Sequence, residues 1–127
     1  MKIFGIGTDI VSIVRIKKSI KNKRFVSRVY NEKEIFKCKK LIKSENCFAK
    51  RFAAKEAFSK ALGIGISSGL NFKEIIIKNL TSGKPKIKLI GRSKIIFSKI
   101  LKKSKYNIFL SLSDEKSFAV ATEVISK

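Results

Sequence analysis

Residues 46–62, NCFAKRFAAKEAFSKAL, constrain the fold more than any other stretch of the chain. Alanine and lysine favour helix, no proline or glycine interrupts the run, and Gly63 supplies the residue type that commonly ends a helix. Helical spacing puts Phe48, Ala49, Phe52, Ala53, Glu56, Ala57 and Lys60 on one stripe. The stripe is apolar except at Glu56 and Lys60. A charge on a core-facing stripe requires a partner or a metal, because burying it alone costs several kcal/mol. A Glu56–Lys60 pair at i,i+4 is the simplest partner, and it contributes only a few tenths of a kcal/mol.

The rest of the chain supplies elements to pack on that helix. Residues 2–7 read as a short buried strand around Ile3, Phe4 and Ile6, ending at Gly7-Thr8-Asp9. Ile13, Ile16 and Ile20 then recur at helical spacing, and Asn31 is placed to cap a further helix ahead of Glu32 and Glu34. Strands are expected over 73–79 and 85–90 about a Ser82-Gly83-Lys84-Pro85 turn, and a helix over 92–103. Strands over 107–112 and 117–125, joined at 114–116, form a hairpin. With no internal repeat and a single proline, this order predicts one α+β domain over 1–127, a mostly antiparallel sheet with packed helices.

Counting removes several kinds of chemistry. The chain has no histidine, so an imidazole base, a Ser-His-Asp triad and a His-ligated metal are excluded. Cys38 and Cys47 stand nine apart without a CxxC pattern, and two free thiols are the expectation. No apolar run approaches the roughly 18–20 residues that span a bilayer, and MKIFGIGTDIV is too short and glycine-broken for a signal peptide. The expected location is the cytoplasm, with no membrane partner.

A net charge of +21 points to an acidic partner. The 25 lysines and 20 isoleucines are also the joint bias that an A+T-rich coding sequence produces unaided. A small basic nucleic-acid-binding protein is the alternative reading. It lacks an RNP run, zinc-finger spacing or a GXXG clamp, and Phe48, Phe52, Phe97 and Phe118 sit at core-like positions rather than as stacking platforms.

With only nine acidic residues, the place of each carboxylate carries information. Asp9 ends an apolar strand, where it serves either as a helix N-cap for a segment beginning near Val11 or as a ligand. Two carboxylates from separate apolar elements, Asp9 and Glu56, suit magnesium, which takes one or two carboxylates plus water and substrate phosphate oxygens. Arg51, Lys55 and Lys60 would suit the phosphates, and Gly63, Gly65 and Gly69 permit close approach of backbone or simply end the helix.

Two segments carry a family resemblance. Gly5-Ile6-Gly7-Thr8-Asp9-Ile10-Val11 with Arg15-Ile16 resembles the opening of the holo-acyl-carrier-protein synthases, a phosphopantetheinyl transferase family. The run from Arg51 to Ala61 resembles that family's second signature, and Gly63-Ile64-Gly65-Ile66, Gly83-Lys84-Pro85 and the segment from Leu110 to Ala119 follow in order. The resemblance implies a phosphopantetheinyl transferase-like fold over the whole chain. It also implies transfer of the 4′-phosphopantetheine arm from coenzyme A to a serine of apo-acyl-carrier protein, leaving adenosine 3′,5′-bisphosphate. Asp9 and Glu56 would then ligate magnesium, and Lys60 would neutralise the diphosphate. Arg51 or Lys55 would meet phosphate on the nucleotide side, and Gly63 and Gly65 would border the coenzyme. A homotrimer with sites between subunits is implied as well.

One departure bears on the proton. Ser113-Asp114 stands where many members carry Ser-His, so the serine proton goes to a carboxylate, a metal-bound water or bulk solvent. Glu56, through water, is the leading base candidate and Glu34 the second. Arg15, Lys18 and Lys21, with Arg24 and Arg28 just beyond, recur at three- to four-residue spacing as a cationic stripe for an acidic carrier protein. Three of the five arginines lie there.

Overall fold

The computed structural model describes residues 2–127. Its elements run β1 (Ile3–Ser12), α1 (Ile13–Ser19), α2 (Lys23–Val29), α3 (Glu32–Lys39), α4 (Ser44–Leu62), β2 (Ile75–Asn79), β3 (Pro85–Leu89), α5 (Gly91–Ile100), β4 (Asn107–Asp114) and β5 (Phe118–Ser126). Short 3-10 turns at Ile66–Ser68 and Phe72–Glu74 lead from α4 into β2. The antiparallel strands form two sheets, a three-stranded one in the order β1-β5-β4 and the β2-β3 hairpin. The α+β class expected from the sequence is therefore the class observed.

Helix α4 is the axis of the molecule. It lies across β1 and β5, while β2-β3, α5 and the three short helices close round it, so it is buried on most of its circumference. The close approach to β1 depends on two glycines. A Cβ on Gly5 would collide with the Ala61 carbonyl, and one on Gly7 with the Ala57 carbonyl. Because strand residues alternate faces, the next residue on that side is Asp9. Two glycines and an aspartate at period two bring a carboxylate against the helix.

The order of burial on α4 differs from the expected stripe. Arg51, Lys55 and Ser59 are buried, whereas Glu56 is half-buried and Lys60 exposed. A helix covered from several sides has no single core face, and the edge it leaves open runs along Glu56 and Lys60. Strand β1 also extends beyond residue 7 to Ser12, so Asp9 is a strand residue and not a cap. Ser12 caps α1, its Oγ accepting from the Arg15 N–H at 3.3 Å.

Helix α2 was not foreseen. Asn22 interrupts the helical spacing after Ile20 and caps the new helix, accepting from the backbone of Arg24 and Phe25 at 2.9 and 3.4 Å. The expected cationic stripe is thereby divided among α1 (Arg15, Lys18), the turn (Lys21) and α2 (Arg24, Arg28). The Asn31 cap of α3 is as expected and forms a reciprocal box with Glu34. The expectation of two free thiols is overturned: Cys38 of α3 and Cys47 of α4 form a disulfide. Their separation of nine residues closes a turn that brings the two helices side by side. Helix α5 lacks a capping side chain of its own and takes Glu74 instead, which accepts from Arg92 N and from Ser93 N and Oγ.

Candidate active site

The end of β1 and the middle of α4 bring Asp9, Glu56 and Lys60 together. Lys60 Nζ donates to Asp9 Oδ1 at 3.1 Å and to the Thr8 carbonyl at 3.0 Å, so it pairs with the strand rather than with Glu56. Burial raises the Glu56 carboxyl above its ordinary range and the Asp9 charge raises it further, against the pull of Lys60. Two mutually repelling carboxylates beside one lysine form a charge pattern that a further cation relieves. Among the described residues no group of three or more metal-ligating side chains occurs. A pair of carboxylates is a donor set that fits a hard cation completing its shell with water and phosphate oxygens.

Glu56 borders a cleft of about 1110 Å³. Its wall is an aromatic row, Phe25 to Phe52 at 6.0 Å and Phe52 to Phe72 at 5.5 Å between ring centroids. Arg24 and Arg28 of α2 stand on the rim, so two of the five docking candidates share a cleft with Glu56. Arg15, Lys18 and Lys21 are exposed and do not line it. Gly63 ends α4 in the left-handed region at φ 87°, and Gly65 precedes the first 3-10 turn in extended backbone. Neither borders the cleft, whereas Gly69 does.

A second groove, of about 870 Å³, opens beside the first turns of α4 and shares no residue with the cleft. Lys37, Lys43, Lys50 and Arg51 line it, with Asn79 and Asp114. Arg51 is 4% exposed. Its Nη1 donates to Cys47 Sγ at 3.3 Å and its Nη2 to Asn79 Oδ1 at 2.9 Å, while the buried Nε–H has no partner. Among the described residues no carboxylate pairs with this guanidinium. Asp114 accepts from Asn46 Nδ2 at 2.7 Å and pairs with Lys50 at 3.3 Å, and the Asn46 bond leads in holding it below the usual range.

Lys55 is the site candidate that the structure moves elsewhere. It is fully buried, and its Nζ donates to Glu34 Oε1, the Phe72 carbonyl and the Ile75 carbonyl at 2.7, 2.8 and 2.7 Å. All three donors are used, leaving none for a phosphate. Burial pushes its pKa down to about 8, against the attraction of Glu34. Glu34 is equally committed, its Oε1 also accepting from Asn31 N and its Oε2 from Ile77 N. It is a core ion pair and no base. Lys37 and Asn79 are groove residues the sequence did not single out; one lysine among 25 carries no mark, and Asn79 looks like an ordinary strand end.

Comparison with known proteins identifies a matching family and matching folds. The family model described as the 4′-phosphopantetheinyl transferase superfamily matches residues 5–122. A holo-[acyl-carrier-protein] synthase of Pelagibacter ubique is 48% identical over 127 residues, covering 100% of this chain and 99% of that one. The crystal structure of holo-[acyl-carrier-protein] synthase from Neisseria meningitidis superimposes with a TM-score of 0.85 at 38% identity, over 98% of this chain and 99% of that one. The Bacillus anthracis enzyme in complex with CoA (3′,5′-ADP) superimposes with a TM-score of 0.80 at 35% identity, over 98% and 97% of the two chains.

Proposed function

The chain belongs to the 4′-phosphopantetheinyl transferase superfamily, and from that premise we propose how its residues carry out the reaction of a holo-[acyl-carrier-protein] synthase. The substrates are coenzyme A and an apo-acyl-carrier protein. The serine oxygen of the carrier forms a bond to the β-phosphorus, the bond to the leaving phosphate breaks, and adenosine 3′,5′-bisphosphate departs. The observation that carries this reading is the meeting of Asp9, Glu56 and Lys60 from two distant segments.

Asp9 and Glu56 hold magnesium in this reading. When bound there, it would neutralise the diphosphate oxygens and the leaving group. Lys60, exposed and already turned toward Asp9, adds a mobile positive charge on the same side. Glu56 receives the serine proton through a water, a role open to the carboxylate that borders the cleft. Arg24 and Arg28 on the cleft rim steer an acidic carrier toward Glu56.

Arg51 and its lysine neighbours take the nucleotide phosphates. Arg51 and Glu56 are five residues apart, so they leave α4 in directions about 140° apart. One coenzyme therefore meets the groove of one subunit and the carboxylates of the next. A homotrimer is supported by the outer face of the three-stranded sheet, where Ile6 and Ile10 are 61% and 63% exposed beside Phe109 and Phe118. Soluble monomers rarely leave so many large apolar side chains open on one sheet face. The medium of action is the cytoplasm, where both substrates occur; among the described residues no helix is long and apolar enough to cross a membrane.

The test is the mass of an apo-carrier protein incubated with the enzyme, coenzyme A and magnesium. One phosphopantetheine arm is expected. Asp9→Asn and Glu56→Gln should each lower the rate at least about 100-fold, the scale of losing an electrostatic stabiliser, with unchanged circular dichroism. Near-full activity in either variant would remove that residue from the site.

A further inference from the structure

We infer that Asn79 is a positioning residue for the nucleotide-phosphate end of coenzyme A, holding Arg51 and Lys37 together without cancelling their charge. The inference rests on the function proposed above for the identity of the ligand. The hydrogen bonds themselves are independent of it.

Asn79 is the last residue of β2, paired with Pro85 across the hairpin. Its Nδ2 donates to the Gly83 carbonyl at 3.0 Å, which turns the amide oxygen away from the turn. That single oxygen accepts from Arg51 Nη2 of α4 at 2.9 Å and from Lys37 Nζ of α3 at 2.7 Å. Two cations on two helices are thus gathered on one acceptor anchored to a third element. Among the described residues neither cation has a carboxylate partner.

The choice of an amide matters. A carboxylate at 79 would bind the same pair more strongly and remove one unit of positive charge from the groove. The neutral oxygen fixes geometry and leaves both charges unspent. Burial lowers the proton affinity of both groups; repulsion by Arg51 adds to this at Lys37, whereas Glu34 and Tyr30 pull the other way at Arg51. Such an arrangement is costly unless an anion completes it, and the buried Arg51 Nε–H already lacks a partner. A phosphate lying in the groove would meet a fork already aimed, with little side-chain entropy left to lose.

The inference separates affinity from stability. Asn79→Asp keeps both acceptor contacts, now charge-assisted, and loses the Nδ2 bond to the Gly83 carbonyl, so its melting temperature should change little. Its KM for coenzyme A and its Kd for adenosine 3′,5′-bisphosphate should increase about tenfold, the scale of one charge-assisted contact. The kcat should stay within about twofold, and the KM for apo-carrier protein should not move, as expected when only ground-state binding is lost. Asn79→Ala should raise the same KM and Kd about fivefold by releasing the fork. The measurements are steady-state kinetics with each substrate varied, calorimetric titration with the bisphosphate, and thermal melts of all three proteins. Unchanged bisphosphate affinity in Asn79→Asp would overturn the inference and leave Asn79 a scaffold residue, with the proposed function intact. A fall in kcat at constant KM would overturn it too. A wild-type protein that neither transfers the arm nor binds the bisphosphate would remove both readings.

Discussion

Glu123 occupies the core-facing side of β5 with Ala119, Ala121 and Ile125, fully buried, and neither of its oxygens has a hydrogen-bond partner. Burial alone pushes its pKa up to about 9. The folded chain therefore keeps a proton that the unfolded chain releases near pH 4.3, and between about pH 4.3 and 9 stability falls as pH rises. Glu123→Gln should abolish that slope and be the more stable protein at pH 8, because its neutral amide takes up no proton on folding. Urea unfolding of both proteins at several pH values measures it, and parallel pH curves would rule it out. Lys55 is the opposite case, a buried charge with every donor used. Lys55→Met leaves Glu34 without its cation and should destabilise by about 3–5 kcal/mol. The same titration reads this, and a loss of coenzyme affinity at unchanged stability would instead return Lys55 to the phosphate site.

At the scale of elements, the contact of β1 with α4 makes the site. Gly7→Val places a branched side chain against the Ala57 carbonyl and forces strand and helix apart. Asp9 then moves away from Lys60 and Glu56. Activity should fall by about 10²-fold or more, since small displacements of positioned groups have that effect. Magnesium titration of the folded variant should require higher concentrations; normal magnesium dependence would show that the glycine does not set the spacing. Asp9, Glu56 and the helix carrying Glu56 were legible in the sequence because each combined a local pattern with an unexpected charge. The burial of Lys55 was not, since its partners Glu34, Phe72 and Ile75 come from three other elements. Nor was α2, whose cap is an asparagine that also fits a loop. Cys38 and Cys47 carried too little spacing information to reveal that two helices would lie side by side.

For the whole molecule, the outer face of the three-stranded sheet is the surface that shapes assembly in the function proposed above. Ile6 and Ile10 of β1 face outward with Phe109 and Phe118, and Thr8, Thr122 and Ser111 form a hydroxyl row between them. The proposed trimer buries this face, so Ile10→Glu should give a monomer in light scattering, and that monomer should lose transferase activity because the groove of one subunit no longer meets the carboxylates of the next. Its chemical stability should change little, as the residue is exposed within one chain. A fully active monomer would overturn the shared-site arrangement. The glycine contact between β1 and α4 also sets a limit on how this chain can change over time. A composition rich in lysine and isoleucine is what an A+T-rich coding sequence produces, and exposed positions would absorb such a bias freely. Gly5 and Gly7 cannot, because any side chain there strikes a helix carbonyl. The seam between strand and helix is where mutational drift stops, and substitutions tolerated across the surface should vanish from a library of functional variants at those two codons.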